Sequence, residues 1–262
     1  MSRYRGDGGP YAVAHRGGAG LAPENTLEAF ALAHGLGIGY LETDVRATSD
    51  GVGVAFHDAG LRRVTGSPGR LADHAWRDLD RVRVAGRHPI PRLEDLFTAF
   101  PNARFTIDLK TARAIRPLVA AVRSCRALDR ICLAGSADRW LAAVRTELGP
   151  GLATALGWES LARLALAART GVRPWGVVPA QFAHVPLRLG RIPVFAGRFV
   201  SMARERGIEV LVWTVDDPVL MHRLLDAGVD GIITDRPDLL REVLIARHAW
   251  GRPSGSRSPA PG

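Results

Sequence analysis

The sequence predicts an α/β protein whose strands close into a (β/α)8 barrel, with a small insertion after the second strand. Three observations lead there. Short apolar runs alternate with amphipathic stretches from residue 11 to about residue 247, and that alternation builds parallel βαβ units. The apolar runs number eight, the count that closes a barrel. The chain has 262 residues, 47% of them hydrophobic, enough for one barrel of roughly 250 residues. An open, doubly wound sheet shares the alternation and is the alternative; eight units favour closure.

Residues 1–10 are expected to be flexible, with one barrel domain over 11–250. YAVAH (11–15) is the first strand and YLETDV (40–45) the second. Asp50-Gly51 then lies between apolar runs, a hairpin signal, so VGVAFHD folds back beside strand two. Residues 59–91 are polar and charged, with a weak helical pattern around 73–80. They read as the insertion, and PRLEDLFTAF (91–100) as the helix after it. Strands three to eight are FTIDLK (105–110), ICLAGS (131–136), LATALG (152–157), WGVVPA (175–180), IEVLVWTV (208–215) and GIITD (231–235). Apolar residues at three- and four-residue spacing place helices over 112–127, 137–148, 158–170, 197–206, 218–227 and 237–247. Gly149, Gly171, Gly207 and Gly228 follow helical runs, where a left-handed residue ends a helix. Asp217-Pro218 pairs an N-cap with proline at the first helical position. The Gly/Pro/Ser-rich tail, 251–262, reads as disordered.

The formal charge of +9 suits an acidic partner such as a phosphate ester, an anionic lipid or nucleic acid. Composition supplies another reason: one lysine among 35 basic residues, in a chain rich in Ala, Arg and Gly, is what a GC-rich coding sequence produces. No clustered basic run or RNP-like aromatic motif points to nucleic acid. Two cysteines, Cys125 and Cys132, make no disulfide framework and fit a reducing compartment. The first residues hold no apolar signal core, and no run nears the roughly 18 apolar residues of a membrane span. The expectation is a cytoplasmic protein touching membrane surfaces at most transiently. Nothing in the sequence speaks to oligomeric state.

A barrel of this kind carries its chemistry at the C-terminal strand ends. There lie His15 and Arg16 after strand one, Glu42 and Asp44 on strand two, His57 and Asp58 on the return strand, Asp108 and Lys110 on strand three, and Trp213 on strand seven. Alternate residues of a strand share a face, so Glu42 pairs with Asp44 and Asp108 with Lys110. Three converging carboxylates repel unless a cation holds them, and all-oxygen donors favour Mg2+ or Ca2+ over Zn2+. Neither HExxH nor CxxC is present. A metal, two histidines and two cations together fit phosphodiester cleavage.

The stretches AHRGGAGLAPENTLEAF (14–30), LETDVRATSDGVGVAFHD (41–58), IDLK (107–110), VWTVDD (212–217) and GVDGIITDRP (228–237) resemble the glycerophosphodiester phosphodiesterase family. The motifs stand in the family's order over residues 11 to 240 or so. The resemblance implies a TIM barrel with an insertion after its second strand, and a small glycerophosphodiester as substrate. It implies that His15 and His57 are the acid–base pair, that Glu42 and Asp44 are metal ligands, and that Arg16 and Lys110 bind phosphate. Asp108 stands where the family usually has a metal-binding Glu. By the same resemblance, a glycerol hydroxyl attacks phosphorus, a cyclic phosphate forms, and water opens it to glycerol 3-phosphate.

Nearby residues get plainer readings. Asn25 and Glu28 read as a capping pair for the first helix. Glu24 is balanced between a supporting role and none. Trp213 is placed at the substrate mouth rather than in the core. Asp58 reads as a turn or supporting group, Asp235 as structural, and Arg62-Arg63 as a solvated face. The remaining six histidines read as structural. Two rival functions remain: a lysophospholipase D, whose apolar groove would come from residues 182–200, and a non-catalytic anion- or RNA-binding barrel.

Overall fold

The computed structural model describes residues 4–6, 9–189, 192–193 and 198–251. Its elements run β1 (Tyr11–Ala14), α1 (Leu27–Gly35), β2 (Tyr40–Ala47) and β3 (Gly53–Ala55). The insertion holds α2 (Arg62–Thr65), α3 (Trp76–Leu79), β4 (Arg83–Val84) and β5 (His88–Pro89). Then come α4 (Leu93–Ala99), β6 (Arg104–Leu109), α5 (Ile115–Ser124), β7 (Ile131–Gly135), α6 (Asp138–Leu148), β8 (Ala153–Thr154) and α7 (Trp158–Thr170). The last part is β9 (Phe182–Pro186), a ribbon of β10 (Arg188–Leu189) and β11 (Ile192–Pro193), α8 (Phe199–Arg204), β12 (Glu209–Trp213), α9 (Pro218–Asp226), β13 (Gly231–Thr234) and α10 (Pro237–Ala246).

The parallel strands follow the order β8-β7-β6-β2-β1-β13-β12-β9. A parallel bridge between Ala155 and Phe182 joins the two ends, and the Leu156 amide donates to the Phe182 carbonyl across it at 2.9 Å. The sheet is thus a barrel of eight parallel strands, as expected. β3 returns antiparallel beside β2, as the Asp50-Gly51 turn requires.

Strand parity explains the interior. Ala12, Leu41, Val45, Phe105, Ile107, Leu133, Ala183, Val185, Val210, Val212 and Ile232 face outward into one core with the helices. Their alternates Tyr11, Val13, Cys132, Ala134, Phe182, Leu211 and Ile233 fill the barrel. The same inward parity on β2 runs Tyr40, Glu42, Asp44, so the interior is apolar at its base and charged at its mouth.

Three expectations need correction. The sixth barrel strand is β9, not WGVVPA: Trp175 is 73% exposed and stacks under the Arg163 guanidinium. FAHVP pairs with β12 over its whole length; a central histidine and a terminal proline disguised it as loop. The groove expected over 182–200 is therefore buried strand in its first part, while 190–191 and 194–197 lie outside the described residues. The flexible reading of 1–10 fails at Tyr4, which is fully buried and plugs the barrel base against Tyr40 and Phe182 at 5.4 Å each. Of the 251–262 tail, only Gly251 is described. Among the described residues no helix is long and apolar enough to cross a membrane.

The insertion packs on its own small core of Val54, Phe56, Leu61, Leu71, Leu79, Val84 and Ile90. This anchors α2 beside the mouth.

Candidate active site

A cavity of about 230 Å³ opens at the C-terminal ends of the strands, lined by His15, Arg16, Glu42, Asp44, His57, Asp108, Lys110 and Trp213. Every site residue expected from the sequence meets there. Thr106, Ser136, Trp158 and His184 line it too; none of these had a motif to mark it.

The turn after β1 places the first group. Arg16 takes left-handed backbone angles (φ 50°, ψ 35°), a conformation that costs a non-glycine residue about 1–3 kcal/mol. The cost aims its amide at the Glu42 Oε2, 2.8 Å away. Gly17 follows at φ +81°, where a Cβ would meet Phe30 at 3.0 Å, so glycine alone lets the turn close over α1. Arg16 Nη1 donates to Glu24 at 3.0 Å, and its Nε lies 3.5 Å from Asp44.

The two histidines are held alike. His15 Nδ1 is 2.7 Å from Asp235 Oδ1, and His57 Nδ1 is 2.7 Å from Asp58 Oδ1. A carboxylate only accepts, so Nδ1 donates in both and Nε2 is left for chemistry. His15 Nε2 lies 4.0 Å from Glu42 Oε2. Burial works against the charged form of His15, but the Asp235 hydrogen bond and the Glu42 and Asp235 charges raise its pKa overall. Asp58 is pulled down to about 2, first by its hydrogen bond from Arg63 and then by His57, so it stays ionised.

The acids divide by partner. In the β2–β6 register Asp44 stands beside Asp108, and the Lys110 ammonium bridges them at 2.9 and 2.5 Å. Burial disfavours Asp44's charge, yet Lys110 and Arg16 outweigh it and hold the carboxyl below the usual range. Glu42 is pushed up to about 7, by burial and then by Asp44. A buried acid with a like-charged neighbour is a position that a hard divalent cation would relieve. The donor chemistry of Glu42, Asp44 and Asp108 therefore fits such an ion. Among the described residues no group of three such side chains is already drawn together as a cage; the short Asp108 side chain is turned onto Lys110.

Four plainer readings change. Asn25 does not cap α1. Its amide donates to Asp44 at 2.9 Å and its carbonyl accepts from Thr43 at 2.8 Å, while Thr26 caps the helix. Glu28 instead faces His88 at 3.1 Å. Asp235 orients His15. Arg63 is solvated, its side chain 48% exposed, but it is also paired: it binds Asp58 at 2.5 Å and both Glu24 oxygens at 2.7 Å. Asp58 supports the site as one of its readings allowed. Trp213 is at the mouth, edge-on to Trp158 at 6.4 Å.

Similar proteins bear on the same residues. The glycerophosphoryl diester phosphodiesterase family pattern matches residues 15–239. A probable glycerophosphodiester phosphodiesterase 2 of Mycobacterium tuberculosis is 41% identical over 247 residues, covering 93% of this chain and 94% of the relative. The crystal structure of a putative glycerophosphoryl diester phosphodiesterase from Silicibacter pomeroyi superposes with TM-score 0.78 at 25% identity, covering 95% of this chain and 98% of the other. An Oleispira antarctica phosphodiesterase, solved with the product sn-glycerol-3-phosphate, shares the fold with TM-score 0.75 at 22% identity, covering 90% and 97%. The matched span begins at His15 and encloses every group that meets at the mouth: the chain belongs to the glycerophosphoryl diester phosphodiesterase family and is a phosphoric diester hydrolase.

Proposed function

We propose that the protein hydrolyses glycerophosphodiesters to an alcohol and glycerol 3-phosphate by histidine acid–base catalysis through a cyclic phosphate, with Mg2+ or Ca2+ held by Glu42, Asp44 and Asp108. One observation carries this reading: two imidazoles, each fixed through Nδ1 to a carboxylate, share a cavity with three acids and two cations. His57 Nε2 takes the proton of the glycerol hydroxyl beside the phosphate, and that oxygen attacks phosphorus. His15, favoured as imidazolium, gives a proton to the departing alcohol oxygen as its P–O bond breaks. The roles then reverse, and water opens the cyclic ester. Arg16 and Lys110 grip the non-bridging oxygens, and Trp213 walls the substrate mouth. A divalent cation bound by the three acids supplies Lewis-acid stabilisation of phosphate charge. The expected setting is the cytoplasm, which two free cysteines support.

The test is glycerol 3-phosphate release from glycerophosphocholine and from lysophosphatidylcholine by wild type, His15→Ala and His57→Ala. Each variant should lose at least about 10²-fold in rate, the usual worth of one acid–base group, with circular dichroism unchanged. A folded variant keeping more than about a tenth of the rate removes that histidine from the chemistry. Turnover of the lysolipid alone would favour the lysophospholipase D alternative.

A further inference from the structure

Arg63 lies on α2, inside the insertion and outside the motifs that mark the site. Its guanidinium holds two carboxylates at once. Nε donates to Asp58 Oδ2 at 2.5 Å, and the two terminal nitrogens donate to the two oxygens of Glu24 at 2.7 Å each. Each carboxylate also reaches a residue in the cavity. Asp58 accepts from His57 Nδ1 at 2.7 Å, and Glu24 accepts from Arg16 Nη1 at 3.0 Å. One planar fork therefore sets both the proton-transferring imidazole and a phosphate-facing cation. Lysine, with a single compact ammonium, cannot span both acids in this geometry.

Simple exposed ion pairs add little. This one differs because it is bidentate at Glu24, shared with Asp58, and mounted on a braced helix. Leu61, just before α2, is buried in the insertion's own core, and the Val64 carbonyl accepts from the Ala85 amide at 2.8 Å. The insertion thus presents Arg63 from a packed support.

We propose that Arg63 is a positioning residue for the hydrolysis. It keeps Asp58 on His57 Nδ1, so that Nε2 is the free nitrogen, and keeps Glu24 on Arg16. The insertion after strand two acts as a brace for the acid–base and phosphate-binding groups. This rests on the proposed role of His57 and Arg16.

The experiment compares wild type, Arg63→Ala, Arg63→Lys, Asp58→Asn/Glu24→Gln and the triple variant with Arg63→Ala. It reads kcat and KM on glycerophosphocholine, the thermal midpoint, and the 15N spectrum of the His57 imidazole, assigned by its loss in His57→Ala. Arg63→Ala should lower kcat by about tenfold or more, a part of the full acid–base contribution. Arg63→Lys should recover less than half of that loss, on a logarithmic scale. In the Asp58→Asn/Glu24→Gln background, Arg63→Ala should cost under about twofold more, since partners acting as a unit are not additive. His57 should carry its proton on Nδ1 in wild type and exchange between nitrogens in Arg63→Ala. Wild-type kcat in Arg63→Ala, a fully additive loss, or an unchanged His57 tautomer would each overturn the proposal. If wild type itself releases no glycerol 3-phosphate, the functional reading fails instead, and the 15N spectrum still decides the brace.

Discussion

Lys110 is the chain's only lysine among 35 basic residues, and the structure supplies a local reason for it. Its ammonium sits between Asp44 and Asp108. Burial opposes the charge, but Asp108 and Asp44 raise its pKa. A point charge fits between two carboxylates on adjacent strands; a planar fork is wider. Lys110→Arg should therefore lose most of kcat/KM on glycerophosphocholine, whereas Arg123→Lys, on an exposed side chain, should change nothing. A Lys110→Arg enzyme within about twofold of wild type, under roughly 0.4 kcal/mol, would show that lysine's shape is not required. Single residues were legible in the sequence where strand parity and motif agreed, as for Glu42 and Asp44. Asp235 was not, because an acid opening a helix looks the same whether or not an imidazole lies beside it. Asn25 was masked by a true capping residue one position later, Thr26. Arg63 acts on Glu24 from 39 residues away, a separation that no local pattern reports.

At the level of elements, β9 was the hardest to read. It places His184 inward, in a strand otherwise made of Phe182, Ala183, Val185 and Pro186, all buried. The His184 Nε2 is buried without a hydrogen-bond partner, and burial lowers its pKa from 6.5 to about 4. The folded protein therefore refuses a proton that the unfolded chain takes up between pH 6.5 and 4. Stability falls as pH drops through that window and, from this group, changes no further below it. The loss is on the order of 3 kcal/mol for a shift of this size. His184→Leu should flatten the fall in thermal midpoint between pH 7 and 4, and at pH 7 should be neutral or stabilising, since an orphaned polar atom is removed. A variant whose midpoint falls with pH as steeply as wild type would contradict this. The other barrel strands and the helices that flank them were legible because their buried faces repeat at strand or helical spacing, whereas the short elements of the insertion and the β10–β11 ribbon are too brief to show a period. β9 was not, because its buried parity is polar where it meets the cavity.

The whole molecule is a barrel closed at its base and chemical at its mouth. Tyr4 makes the closure: its hydroxyl lies 2.6 Å from Thr106 Oγ1, and Thr106 also lines the cavity. The plug is thus one layer below the site. Tyr4→Ala should cost about 3–5 kcal/mol, as large aromatic truncations in cores do, read as a lowered urea midpoint. A variant as stable as wild type would mean that Tyr4 leaves the barrel in solution. The barrel and its mouth were legible because eight units and the strand-end chemistry are periodic in sequence. The N-terminal plug was not, since a lone tyrosine among polar residues has no period. The most direct test of the account as a whole is product analysis on glycerophosphocholine with metal-stripped and reconstituted protein. The account predicts no turnover in excess chelator, recovery on adding Mg2+ or Ca2+, and choline with glycerol 3-phosphate as the products. Undiminished turnover of stripped protein in chelator, or phosphocholine as the product, would contradict it.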